Sequence, residues 1–163
     1  MMHTSAQSPA TRAALFALVL GLMRAGANVG DHIVQASRDA VVKGATDAAP
    51  VTYRGRKYGT RGGRAAALRH SVTYTATQAA VIAAGARALG VRLPVGRLLA
   101  ALVVTGGSHY LIDRREPLRR FCEAIGKSEF YNLNSNGING SYLTDQAAHD
   151  MIETLACLLV AAR

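Results

Sequence analysis

PVGRLLAALVVTGGSHYLID, residues 94–113, is the stretch on which the reading of this chain turns. Pro94 suits the first turn of a helix, where a missing backbone N–H leaves nothing unpaired. From Leu98 to Val104 every residue is apolar. Gly106-Gly107 then either bends the helix or lets a neighbour pack closely. Asp113 follows His109 by four residues, so imidazole and carboxylate leave the helix on one face, one turn apart. The stretch predicts an apolar helix that carries a polar site near its end.

Outward from it, the same 3.6-residue periodicity recurs between Gly and Pro breaks. A first helix is expected from Pro9, behind the Ser8 N-cap, to Met23, with an interruption at Ala25–Gly30. A second helical piece covers roughly Asp31–Lys43, another Arg64–Leu89, and a short basic helix starts at Pro117 and ends at Gly126. Thr144 is the expected N-cap of a last helix, Asp145–Ala162. Residues 45–63 read as a basic Gly/Arg-rich loop outside the core, and residues 127–143 as an Asn/Gly-rich loop. No strand-like alternation persists and no repeat is seen. The expectation is an all-α protein: residues 1–163 as a single helical bundle of four to six helices, with a polar His/Asp cluster between them.

Composition agrees with close-packed helices. Half of the 163 residues are apolar, only 6% are aromatic, and Trp is absent. The mean hydropathy of +0.12 is high, yet no uncharged apolar run reaches the length of about 18 residues expected of a spanning helix. Ala13–Met23 stops at Arg24, Leu98–Ser108 lies between Arg97 and His109, and Ser71–Ala86 carries Thr73, Thr75, Thr77 and Gln78. A cytoplasmic location, with membrane association as the variant, is the expectation. Arg24 sits where a signal-peptide cleavage region is uncharged, so the N-terminal apolar stretch reads as an ordinary helix. Cys122 and Cys157 have neither metal nor redox spacing and read as reduced interior thiols. The net charge of +9 is concentrated in Arg54, Arg56, Lys57, Arg61, Arg64 and Arg69, and in Arg114, Arg115, Arg119 and Arg120. Arginine's planar fork suits phosphate groups.

The polar residues on the apolar helices carry the chemistry. His109 and Asp113, Asp145 and His149 (with Glu153 one turn on), and Asp31 and Gln35 all repeat the four-residue spacing. His70 stands on the helix starting at Arg64, with Tyr74 and Thr77 along one face. Burying so many ionisable groups is unfavourable unless they pair or bind a cation. Imidazole with carboxylate, and no thiolate, suits a divalent zinc, manganese or iron ion. His70, His109, Asp113, Asp145 and His149 are therefore expected to converge as metal ligands or their supports, with Asp31 at the edge of the cluster.

Gly30-Asp31-His32-Ile33-Val34-Gln35, Arg69-His70, Ser108-His109-Tyr110-Leu111-Ile112-Asp113-Arg114 and Asp145-Gln146-Ala147-Ala148-His149 appear in this order. Together they resemble an uncharacterised family of small helical proteins of bacteria and their phages, a domain of unknown function with many members predicted to sit in membranes. The resemblance spans about Gly21–Val160 and leaves the basic loop unmatched. That family carries a His one turn before the first Asp, where this chain has Ala27, with His32 and Asn28 nearby. In motif style the chain is more loosely similar to membrane-bound metal-dependent hydrolases.

The reading is a metal-dependent hydrolase of a phosphate-containing substrate, a phosphoester of a nucleotide, a nucleic acid or a lipid. Asp31, Gln35 and Gln146 are its catalytic candidates, Asp31 as ligand or general base and the glutamines to orient water or substrate. Arg54, Arg56, Lys57, Arg61, Arg69 and Arg114 are the candidates for holding phosphate. The alternatives are a basic non-enzymatic protein that binds nucleic acid through the Arg-Gly loop, or one that meets an anionic membrane surface.

Overall fold

The computed structural model describes residues 8–162, so residues 1–7 and 163 of the expected domain lie outside the described residues. It is 75% helical, with seven α-helices and two short strand pairs. The elements in order are α1 (Pro9–Val29), a π-helical turn (Gly30–Val34), α2 (Ser37–Val42), β1 (Val51–Tyr53), β2 (Arg56–Tyr58) and α3 (Thr60–Ala88). They continue with α4 (Val95–Asp113), α5 (Glu116–Ala124), α6 (Ser128–Asn132), β3 (Asn134–Ser135), β4 (Ile138–Asn139) and α7 (Gly140–Ala161). The all-α expectation therefore holds, with more helices among the described residues than the expected four to six.

The four long helices close into a ring. α1 packs on α3 and α7, and α4 packs on α7 and α3. One half of the ring is apolar: Leu15, Val19 and Met23 of α1 meet Ile82, Ala101, Leu102, Ala156, Cys157 and Val160. The other half encloses Gln78, Thr105, His70, His109, Asp113, His149 and Glu153, all buried. Short elements cover that polar half. Ile112, Leu118, Cys122 and Tyr131 form a small apolar cluster beneath α5 and α6, and Val42, Ala45 and Ala66 form another with Val51, Tyr53 and Tyr58.

Four boundary expectations are corrected. α1 is not interrupted at Ala25–Gly30 but runs to Val29. Gly26 and the Gly30 that follows the helix serve close packing: a Cβ on Gly26 would lie 2.7 Å from Gln78 Cα, and one on Gly30 3.2 Å from Tyr74 Cα. Residues 45–63 are not a plain loop outside the core. They contain the antiparallel pair Val51–Tyr53 with Arg56–Tyr58, and Ala45 and Gly63 are buried. Arg54 and Gly55, both at positive φ (47° and 76°), make the two-residue turn whose twist suits a hairpin. Asn136-Gly137 does the same for the short hairpin inside residues 127–143. The last helix starts at Gly140 rather than after Thr144: Asn139 Oδ1 accepts from the Tyr142 N–H at 3.1 Å, and Thr144 Oγ donates to Gly140 O from within the helix.

Counting only uncharged runs also undercounted apolar helix length. Pro9–Val34 and Val95–Asp113 are long and apolar enough to cross a membrane, since single arginines such as Arg24 and Arg97 do not offset their apolar content. Leu99, Val103 and Leu111 of α4 and Met151, Leu155 and Leu158 of α7 are exposed on the outside of the ring.

The α1–α3 contact yields a signed prediction. Gly26→Ala forces a methyl against the Gln78 backbone and should destabilise the fold by about 1–3 kcal/mol. Gly21→Ala, on the same helix with open space around it, should instead stabilise by up to about 1 kcal/mol through helix propensity. Thermal denaturation of the two variants should move in opposite directions; equal shifts would reject the close approach.

Candidate metal centre

The site is assembled from three of the long helices and the π-helical turn. The turn, closed by the Gln35 N–H donating to Gly30 O at 3.0 Å, follows directly on α1 and carries Asp31 beside α3. π-turns of this kind recur at functional sites. His70 stands well inside α3 rather than near its start, and His109 and Asp113 end α4.

Asp31 Oδ1, His70 Nε2 and His109 Nε2 form a triangle with sides of 2.9, 2.8 and 3.4 Å. Asp113 Oδ2 makes a second triangle on the His70–His109 edge, at 3.4 and 3.2 Å. A zinc ion with bonds of about 2.0–2.1 Å places its tetrahedral donors about 3.3 Å apart. Asp31 thus belongs to the centre and not to the edge of the cluster. The Gln35 amide is best satisfied with its oxygen 3.0 Å from His70 Nε2 and 3.2 Å from Lys43 Nζ, and its nitrogen donating to Asp31 O.

Protons cannot satisfy this arrangement. His70 Nε2 can carry one hydrogen, yet Asp31, His109, Asp113 and Gln35 all converge on it. Lys43 Nζ stands 2.7 Å from Asp113 Oδ1 as an ion pair. Asp113 Oδ2, His109 Nδ1 and His149 Nε2 are buried without a hydrogen-bond partner.

Protonation favours ligand-competent forms at Asp31, Asp113 and His109, whereas at His149 burial is outweighed by the Asp145 carboxylate, with Asp113 and Asp31, and the imidazole is raised. Burial alone would raise Asp31 and Asp113. The hydrogen bond from His70 to Asp31, and His109 with Lys43 beside Asp113, outweigh it and hold both carboxyls below the usual range. Burial pushes His109 down, towards neutral imidazole. Carboxylate and neutral imidazole are the forms that bind a cation.

His149 of α7 stacks on His109 with ring centroids 4.1 Å apart, and Tyr74 of α3 stacks on the same imidazole at 3.7 Å. Asp145 Oδ2 lies 3.5 Å from His149 Nε2, and Gln146 donates to Asp145 at 3.3 Å. Beneath the stack, the Tyr74 hydroxyl and Gln78 Nε2 donate to Glu153 Oε1 at 2.5 and 2.8 Å. Thr105 donates to the Gln78 carbonyl at 3.1 Å, and Arg24 Nε lies 3.5 Å from Glu153 Oε2. The network locks the Tyr74 ring, and through it His109, in one orientation.

A cleft of about 410 Å³ opens over the site, with Asp31, Asp113, Gln35, Asp145 and Gln146 in its lining and Lys43 and Arg115 as its cations. The arginines read from sequence as phosphate ligands are elsewhere. Arg69 holds the buried Asp39 carboxylate at 2.7 and 3.2 Å. Arg114 donates to Lys43 O and Ala45 O, tying the end of α4 to the loop after α2. Arg54 and Arg56 lie over the rings of Tyr53 and Tyr58 on the hairpin, and none of Arg54, Arg56, Lys57 and Arg61 lines the cleft. His32, near the position of Ala27, faces Tyr142 Oη at 3.0 Å rather than the His70–His109 pair.

Lys43, Arg115, Gln78 and Glu153 are the residues that sequence reasoning left without a role. Glu153 extends the Asp145/His149 line by one turn and was legible as such. Arg115 sits at φ 62°, a conformation that costs a non-glycine residue strain. No protein-family model, curated protein or solved structure matches the chain.

Removing the Tyr74 hydroxyl tests the support beneath the site. Tyr74→Phe keeps the stack on His109 but deprives Glu153 of a buried donor, and should destabilise the fold by about 1–3 kcal/mol. Glu153→Gln, which removes the buried charge, should be milder. Denaturant midpoints measure both; a Tyr74→Phe midpoint equal to that of wild type would show the hydroxyl to be idle.

Proposed function

We propose that the chain is a metal-dependent hydrolase of phosphoesters, with one divalent ion held by Asp31, His70 and His109 and completed by Asp113. The observation that carries this reading is the pair of donor triangles at 2.8–3.4 Å, buried and supplied with too few protons. A divalent ion in such a site supplies Lewis acidity and a nucleophilic water at neutral pH. Four ligands drawn from one π-turn and two helices leave it fixed in place by the same contacts that hold the bundle together.

The cleft supplies the rest. Lys43 and Arg115 offer charge to a phosphoryl group entering above Asp31 and Asp113, in place of the hairpin arginines. Gln35 and Gln146 bring amides that can both donate and accept, which suits the orientation of water and of phosphoryl oxygen. Glu153, Tyr74 and Gln78 keep the imidazoles aimed. The cleft's polar lining and cations fit the anionic ester shared by nucleotides, nucleic acids and phospholipids.

Purified wild-type protein should carry a divalent metal by elemental analysis and hydrolyse p-nitrophenyl phosphate or its diester in a chelator-sensitive manner. A metal that binds only the folded state at about 100 times its Kd stabilises by about 2.7 kcal/mol. Chelator should therefore lower the melting temperature by about 5–10 °C for a domain of this size. His109→Ala should lose both the metal and the chelator response. Wild-type protein with no metal and no melting shift would reject the reading.

A further inference from the structure

One ion at the Asp31/His70/His109 triangle leaves part of the cluster unexplained. His149 Nε2 is buried and has no hydrogen-bond partner, although its residue is only 6% exposed. The nearest carboxylate oxygen, Asp145 Oδ2, is 3.5 Å away, beyond a good charged hydrogen bond. His149 also groups with His109 and Asp113, their donor atoms all within 4.8 Å of one another. A single ion beside His70 and His109 uses Asp113 Oδ2, and Oδ1 is met by the Lys43 ammonium, a mobile cation, at 2.7 Å.

We propose that the site is a two-metal centre, in which a second divalent ion is held between His149 and Asp113, with Asp145, 3.5 Å from His149, as its further carboxylate and Asp113 shared between the two ions. This rests on the hydrolase reading above and adds to it a second cation on the α7 side of the cleft. The donor set is imidazole with two carboxylates, chemistry that suits zinc, manganese or iron. Asp145 lines the same cleft as Asp31 and Asp113, so both ions would face one substrate. Ions about 4 Å apart across a shared carboxylate clamp the attacking and leaving oxygens of a phosphoryl transfer. Lys43, now beside Asp113 Oδ1 at 2.7 Å, supplies positive charge at that oxygen.

The test is metal stoichiometry. Full-length protein is stripped with chelator, titrated with Zn²⁺ or Mn²⁺, desalted and analysed for metal per chain. Wild type is expected to hold two ions. His149→Phe, which keeps a ring stacked on His109, and the near-isosteric Asp145→Asn should each hold one. His70→Ala should also lose one ion, leaving that of the His149 side. Mn²⁺-loaded wild type should give the exchange-coupled electron paramagnetic resonance signal of a bridged pair, absent in His149→Phe. One ion in wild type, retained by both His149→Phe and Asp145→Asn, would overturn the second site and leave the single-ion hydrolase standing. No ion in wild type would overturn both.

Discussion

Two imidazoles and two carboxylates meet within hydrogen-bond distance inside the polar half of a helical bundle, and the rest of the structure is arranged around that constraint. Charges removed from water are stable only where opposite charge or hydrogen bonds replace the lost hydration. Here His70 and His109 face one another at 2.8 Å, with Asp31 and Asp113 drawn in beside them and Lys43 brought to the edge. The cluster gathers His and Asp groups of the kind that could hold a metal ion. Its counterpart deeper in the bundle, where Tyr74, Gln78 and Thr105 surround Glu153, is closed by hydrogen bonds within the chain.

Close helix packing makes the convergence possible. Gly26 of α1 and Gly30 at the start of the π-turn leave no side chain between this backbone and that of α3 at Gln78 and Tyr74. α1 therefore runs tight against α3 up to the point where the π-turn begins, and Asp31 is delivered onto His70. Larger residues at those positions would hold the two helices apart and leave the first carboxylate outside the imidazole pair. On the other side of the site α7 packs along α4, which places the His149 ring on that of His109. The apolar half of the ring, from Leu15 to Val160, supplies the burial that holds these approaches in register.

Charge is distributed in two functionally different ways. Arg54, Arg56 and Lys57 lie on the hairpin, away from the cleft, and on α5 Arg119 and Arg120 pair with Glu116. Arg69 and Arg114, although flanking His70 and Asp113 in sequence, are spent on Asp39 and on backbone carbonyls. The cations that do reach the cleft are Lys43, at the end of α2, and Arg115, just beyond α4. Local arginine density was thus a poor guide to which cations line the cleft.

The helical class was legible in the sequence because burial on one face of a helix imposes a period that the chain writes out directly. The candidate ligands were legible for a related reason: a His or Asp on an otherwise apolar helix violates that period and must have a partner. His109–Asp113 and Asp145–His149 are local pairs, four residues apart, and needed no tertiary knowledge. Their meeting with His70 and Asp31 joins residues up to 118 positions apart (Asp31 to His149), and spacing alone could not determine it. Nor could spacing tell that Gly26 and Gly30 are packing surfaces rather than a helix break, since a glycine reads the same until a neighbouring helix is seen against it. Lys43 and Arg115 carry no periodic signal at all; they enter the cleft because α2 and the end of α4 are folded over the site. The sequence by itself determined which groups required partners, and tertiary packing decided which partners they found.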